Sequence, residues 1–219
     1  MIKLQKKIRM KIFVLLLLFV ALLNGCAPKQ ISLFNGHNLD GWIIVANNGA
    51  DSVPGLFFVE DGVIKTHGKP NGYLRTKEAY SNYRLHLEWR WADDPGNSGV
   101  LLHASGEEFW PDCVEAQLMN DHAGDVVLIG LGTSGLFSDS LFTNRSGRYT
   151  VLPKEGQSTE FSAGEWNRYD IRCADNQLSI EVNGILQNQV SELNRTRGFI
   201  ALQSEGAPIE FRNLYIDPL

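Results

Sequence analysis

The sequence predicts an all-β fold, a jelly-roll sandwich of two antiparallel sheets. Three observations carry that expectation. Short runs alternate between apolar and polar positions, turn signals built on Gly, Pro, Asn and Asp separate them, and no helical stretch longer than a turn or two follows residue 25. With 219 residues, 43% hydrophobic, the chain is long enough for one domain with a large core. An immunoglobulin-type sandwich is the competing architecture, but it needs only about 100 residues.

The first 25 residues stand apart. Lys3, Lys6, Lys7, Arg9 and Lys11 precede an apolar run from Ile12 to Leu23, and Asn24-Gly25-Cys26 follows, the charged, apolar, small-residue order of an export signal. The run is too short to span a bilayer, which takes about 20 apolar residues. The position of Cys26 resembles a bacterial lipobox, although Asn24 departs from the small residue usual there. That resemblance implies a signal peptide over 1–25, lipidation of Cys26, a tether over 26–30 and a domain over 31–219. The expected product is an exported bacterial lipoprotein of the cell envelope, periplasmic or at the outer-membrane surface, tethered to the membrane through its lipid rather than inserted. An uncleaved anchor is the alternative. Without the five leader cations the chain keeps 15 Lys and Arg against 25 Asp and Glu, a net charge of −10. Such acidity argues against nucleic acid or anionic lipid as a partner.

Ile31 to Phe34 reads as a terminal strand, and Asn35 to Trp42 as a turn-rich loop pinned by Trp42. Leu56 to Val59 and Val63 to Thr66 form a hairpin around Glu60-Asp61-Gly62, and Asn71 to Thr76 begins the next strand. The stretch Tyr83 to His103 is the most telling. Tyr83, Leu85, Leu87, Trp89 and Trp91 alternate with Arg84, His86, Glu88 and Arg90, which separates an apolar from a charged face. A loop containing Pro95, Gly96 and Gly99 then leads into Gly99 to His103. Cys113 to Met119 alternates again, Val126 to Ile129 is a short strand, and Gly130 to Ser146 reads as a long surface loop. Trp166 to Ala174 and Gln177 to Val182 pair around Asp175-Asn176, Asn183-Gly184 turns the chain into Ile185-Leu186, and Phe199 to Gln203 and Ile209 to Ile216 form the last pair. Cys113 and Cys173 lack metal or redox spacing, and export permits either a disulfide or two buried thiols.

With the apolar alternates packed in a shared core, Glu88, Arg90, His103, Glu115, Gln117 and Gln203 are expected on one common polar face, with Trp110 and Trp166 near in sequence. One wet face is ordinary for an antiparallel sheet. The mixture of carboxylates, guanidinium, imidazole, amides and aromatics nevertheless matches the surfaces that bind sugars. Glu88 and Glu115 are the obvious glycosidase carboxylate pair. Jelly-roll glucanases, however, carry their acids at alternating positions of one strand, and Glu115-Ala116-Gln117-Leu118-Met119-Asn120 offers one acid and two amides. A double-displacement glucanase is therefore disfavoured.

The segments WRWADDPGNSGVLLH, CVEAQLMNDHAGDVVLIG, GEWNRYDI, VNG and GFIALQSEGAPIEFRNLYI resemble, in order and spacing, the 3-keto-disaccharide hydrolase domain family. The resemblance runs from about Ile31 to the C-terminus and implies a concanavalin A-like jelly roll. It also implies a carbohydrate-active hydrolase, a glycosidase that cleaves the glycosidic bond of 3-keto-glycosides or 3-keto-disaccharides. An oxidised C3 acidifies the C2 proton, so a base can remove it, the C1 oxygen can leave by elimination, and water addition completes a net hydrolysis. Such a route needs a base and an electrophile but no carboxylate nucleophile. On that basis Glu115 or His103 is the base, Arg90 and Gln117 stabilise oxygen charge or hydroxyls, Glu88 orients a neighbour, and Gln203, Trp110 and Trp166 contact substrate. A divalent metal held by some of His103, Glu115, Asp121 and His122 would supply the electrophile, although no tight ligand spacing accompanies them. Glu205, beside Gly206, reads as either a site residue or a turn former. A non-catalytic carbohydrate-binding surface lipoprotein and a structural envelope protein remain as alternatives.

Overall fold

The computed structural model describes residues 29–46, 55–106 and 108–219, so the signal peptide and Cys26 lie outside the described residues. From the N-terminus the strands are β1 (Ile31–Ser32), β2 (Trp42–Ala46), β3 (Phe57–Glu60), β4 (Val63–Thr66), β5 (Gly72–Thr76) and β6 (Tyr83–Trp91). Next come β7 (Gly99–Ala104), β8 (Cys113–Gln117), β9 (Val126–Ile129), β10 (Ser134–Phe137), β11 (Ser140–Thr143) and β12 (Tyr149–Leu152). The chain closes with β13 (Asn167–Ala174), β14 (Gln177–Val182), β15 (Ile185–Val190), β16 (Phe199–Ser204) and β17 (Ile209–Pro218). No helix occurs among the described residues, and every strand pairing is antiparallel.

Two sheets make the sandwich. The first runs β15-β14-β13-β6-β17-β4-β3, with β1 also on β17, and the second runs β12-β9-β8-β7-β16-β5-β2. Between them lies the main core. Leu85, Leu87, Trp89 and Trp91 of β6 meet Val100, Leu102, Val114, Ala116 and Leu202 from the facing sheet, all essentially without solvent contact. Each of the Leu and Val side chains among them contributes roughly 1.5–3 kcal/mol through burial. The alternation in β6 thus does what its period requires.

The outward alternates of β6 end up in a ladder of charge. Glu88 accepts from Arg212 Nε at 2.6 Å and from Asn213 Nδ2 at 2.9 Å, and Arg90 Nε donates to Glu210 Oε2 at 2.7 Å. Trp166 is clasped by the guanidinium groups of Arg90 and Arg212, at 4.5 and 3.9 Å from its ring centre. His86 lies 3.0 Å from Asp170 and stacks on Tyr215. Opposite charges from three neighbouring strands satisfy one another across this face.

Several expectations are corrected here. The loop from Ala92 to Ser98 carries the chain from the first sheet to the second, so β6 and β7 are not neighbours. The segment read as a long loop contains the β10–β11 hairpin, whose Ser138 and Asp139 take φ of 46° and 60°. Such a turn is usually announced by Asn-Gly or Asp-Gly, and Ser-Asp gives no comparable signal. The turn-rich loop ends one residue earlier than expected, because Trp42 begins β2, and its buried indole N–H pins that loop by bonding the Leu33 carbonyl at 2.7 Å. Cys113 and Cys173 are free buried thiols, which resolves the open choice against a disulfide.

Candidate functional site

The outer face of the second sheet carries the site. A cleft of about 720 Å³ opens there, lined by residues of β8, β9, β12 and β16 and by the loops beside them. That volume suits a ligand of one or two rings. Strand pairing sets its floor. Glu115 stands between Val127 of β9 and Leu101 of β7, and Gln117 stands opposite Gly99. Side chains of paired residues share a face, so Glu115 and Gln117 project together, about 7 Å apart along the strand. Beside them on the same outer face Tyr73, Leu101, Ala104, Cys113 and Ala201 form a second, smaller apolar cluster.

Gly99 is what lets Glu115 reach the middle of the cleft. A Cβ at residue 99 would lie 1.9 Å from Glu115 Oε1, so only glycine leaves the carboxyl group room to lie across β7. Glu115 is 4% exposed, and its Oε1 finds no hydrogen-bond partner among the described residues. Burial, and then the nearby charge of Glu205, push its pKa up to about 8. A carboxyl group with that pKa is poised to exchange a proton near neutrality.

Around Glu115 sit more unsatisfied acceptors. Gln203 Oε1 and Asn97 Oδ1 are buried without partners among the described residues. Asn97 Nδ2 donates to Glu205 Oε2 at 2.9 Å, which aims the Glu205 carboxyl along the cleft, and burial raises the Glu205 pKa as well. Gln117 turns its Oε1 back to the amides of Leu118 and Met119, both at 2.9 Å, and so keeps its Nε2 donors for a ligand. Buried polar groups left open in this way call for a polar ligand. Trp110 lies at the opposite end, on a loop that Tyr73 Oη holds through the carbonyls of Gly106 and Glu108 at 2.7 and 2.6 Å.

The structure brings together Glu115, Gln117, Gln203 and Trp110 but separates the other expected residues from them. Glu88, Arg90 and Trp166 belong to the charge ladder on the opposite sheet, because β6 is not in the sheet that holds Glu115. His103 is turned away by a bulge. Leu101 pairs with Ala201 and Ala104 with Phe199, so β7 advances three residues while β16 advances two. The extra residue is His103, at φ 53°, whose ring packs 5.7 Å from Tyr83 on the core side. Its Nδ1–H donates to the Arg195 carbonyl at 3.0 Å, and burial lowers its pKa. The four candidate metal ligands do not gather: His103 faces the core, and His122 pairs with Asp125 at 2.9 Å in the turn that also holds Asp121. Among the described residues no group of three or more His, Cys, Asp or Glu is placed to share an ion.

Sequence reasoning passed over Asn97, and it left Glu205 undecided. Both sit on loops, where no period marks a face. Their usable signal was the pairing of GNSG with SEGA in the resembling segments, since Asn97 bridges to Glu205 and Gly206 in the fold.

Comparison with known proteins bears on the family and the fold. A 3-keto-disaccharide hydrolase of Bacteroides thetaiotaomicron is 31% identical over 86 residues, which is 36% of this chain and 28% of that protein. The chain therefore aligns with less than a third of that relative. A solved structure from Parabacteroides distasonis, provisionally described as a glycosyl hydrolase, superimposes with a TM-score of 0.64 at 23% identity, covering 87% of this chain and 100% of the other. The β-glucanase of Bacillus licheniformis gives a TM-score of 0.56 at 13% identity over 90% and 100% of the two chains, a likeness of fold alone. Residues 29–217, nearly the whole described domain with Glu115 and its cleft at the centre, match the 3-keto-alpha-glucoside-1,2-lyase-like domain, and the chain belongs to that family.

Proposed function

We propose that the protein is a carbohydrate-active enzyme that cleaves 3-keto-glycosides, with Glu115 as the base that removes the C2 proton. The observation that carries this reading is a single buried carboxyl group, with a pKa of about 8, lying over Gly99 among open amide groups. The family and its Bacteroides relative are described by the words lyase and hydrolase. One reaction accounts for both. The C3 carbonyl withdraws electrons from C2, Glu115 takes the C2 proton, the C2–H pair becomes the C1=C2 double bond, and the C1–O pair leaves with the aglycone oxygen. Addition of water across that double bond returns a 3-keto-sugar, and the sum is hydrolysis.

The other residues have roles that follow from what they offer. The Nε2 groups of Gln117 and Gln203 donate to the carbonyl oxygen that gains charge, and the open oxygens of Gln203 and Asn97 accept from sugar hydroxyls. Glu205 shares the acidic environment, so the two carboxyl groups titrate as a pair, and the first to ionise holds back the second. Glu88, Arg90, His103 and Trp166 have no part in this reaction.

The test is the pH dependence of kcat/KM with a 3-keto-glucoside. Only ionised Glu115 can accept the proton, so the rate should rise about tenfold per pH unit below its apparent pKa and level off above about 8. A rate independent of pH between 5 and 9 would rule out a base with these surroundings.

A further inference from the structure

The cleft has two unlike ends. Asn97, Gln117, Gln203 and Glu205 make one end polar, whereas Trp110, Ile129, Leu131, Tyr149 and Val151 make the other apolar. Tyr149 pairs with Ile129, and Val151 with Val127, so β12 and β9 present a continuous shelf beside Glu115. This surface is open. Leu131 is 70% exposed and Tyr149 62%, and five of the eleven large apolar side chains exposed among the described residues line this one cleft. Apolar groups concentrated beside a polar pocket mark a place for a ligand rather than ordinary surface.

A second sugar ring fits that end poorly. Its hydroxyls would need partners, and the acid at this end is Asp112, whose Oδ2 is paired with Arg195 and whose Oδ1 packs against Gly130 where any Cβ would collide with it. Arg148 is the one cation among the lining residues. Hydroxyls laid against these apolar side chains gain no partner from them, whereas an apolar group gains contact area. A flat aromatic ring instead gains contact with Trp110 and Tyr149. The chemistry agrees. A phenol has a pKa of about 10, as in tyrosine, so a phenolate leaves C1 more readily than a sugar alkoxide and needs less help from an acid.

We propose that the shelf formed by Trp110, Ile129, Leu131, Tyr149 and Val151 is an aglycone subsite, and that the preferred substrates are 3-keto-glucosides of aromatic alcohols rather than 3-keto-disaccharides. This rests on the reading of the cleft as a 3-keto-glycoside site. The aglycone lies on the shelf, the oxidised sugar occupies the polar end, and the bond to be broken lies beside Glu115.

The experiment pairs binding with turnover in the full chain. Dissociation constants are measured for phenyl α-glucoside, methyl α-glucoside and trehalose, in the parent protein and in Tyr149→Ala and Trp110→Ala. Both replaced side chains are substantially exposed, so these variants keep the fold. The phenyl glycoside should bind about tenfold more tightly than the methyl one, and each variant should reduce that preference at least about threefold while leaving methyl glucoside unchanged. Equal affinity for phenyl and methyl glycosides, tighter binding of trehalose, or failure of both glucosides to bind overturns the subsite. Cleavage of the corresponding 3-keto-glycosides is followed separately. Absence of all cleavage with the phenyl preference intact would overturn the reaction and leave the subsite standing.

Discussion

Glu115→Gln should lose turnover of 3-keto-glycosides by about 10²–10⁴-fold, the range that positioned proton transfer contributes, while sugar affinity changes little. The substitution keeps shape and hydrogen-bonding capacity and removes only the proton acceptor. It should also raise stability at alkaline pH. In the folded protein the Glu115 pKa is about 8, above its ordinary carboxylate value of 4.5. The folded state therefore holds the proton more tightly than the unfolded state. Its stabilising contribution is complete below about pH 4.5 and is lost as pH rises towards 8. Glutamine at residue 115 carries no such penalty. The variant should match the parent at pH 4 and exceed it by about 3–5 kcal/mol at pH 9, measured by urea unfolding at both pH values. Full activity in the variant would remove Glu115 from the mechanism. Equal stability at pH 9 would mean that its carboxyl group is not buried as described.

Gly198→Ala should destabilise the fold by about 3–5 kcal/mol, a drop in Tm of roughly 10 °C for a chain of this size. A Cβ there would lie 2.3–2.6 Å from the backbone of His103 and Ala104. Backbone cannot rotate aside as a side chain can. Gly198 also exchanges two hydrogen bonds with Tyr80, at 2.8 and 3.0 Å, so it cannot retreat without breaking them. Gly36→Ala is the control. Gly36 has φ 80° but nothing within 4 Å of an added Cβ, so only backbone strain of about 1–2 kcal/mol is expected. Thermal unfolding of both variants separates collision from strain, and a Gly198→Ala Tm within a degree or two of the parent would refute the close packing at the bulge.

The bulge and the sheet assignment also explain what could be read from the sequence. The alternation from Tyr83 to Trp91 identified a strand with one buried face, and the core contains the residues it marked. Alternation is local, so it survives whatever the strand pairs with. It does not say which sheet the strand joins. Glu88 and Glu115 have the same pattern around them, yet one is tied to Arg212 on the first sheet and the other lies in the cleft of the second with no basic partner, its Oε1 unbonded among the described residues. His103 shows a second limit, since one extra residue in β7 moves a side chain to the other face and no local signal announces it. The glutamate at 115 was legible because its strand is regular and its neighbours Gln117 and Cys113 keep the period. Asn97 and Glu205 were harder to find, because they meet only when loops from distant parts of the chain are folded together. The apolar shelf was hidden for the same reason: β12 and the loop carrying Trp110 become neighbours only across β9.

The most direct test of the central claim is product analysis by NMR and mass spectrometry in D₂O. The protein would be offered a 3-keto-glucoside, 3-keto-trehalose and their unoxidised parents. The account predicts cleavage confined to the keto-sugars, with the unsaturated 3-keto-sugar or a hydrated product that carries deuterium at C2. Cleavage of the unoxidised parents, or a hydrolysed keto-sugar that keeps its original C2 proton, would contradict elimination and point to direct displacement at C1.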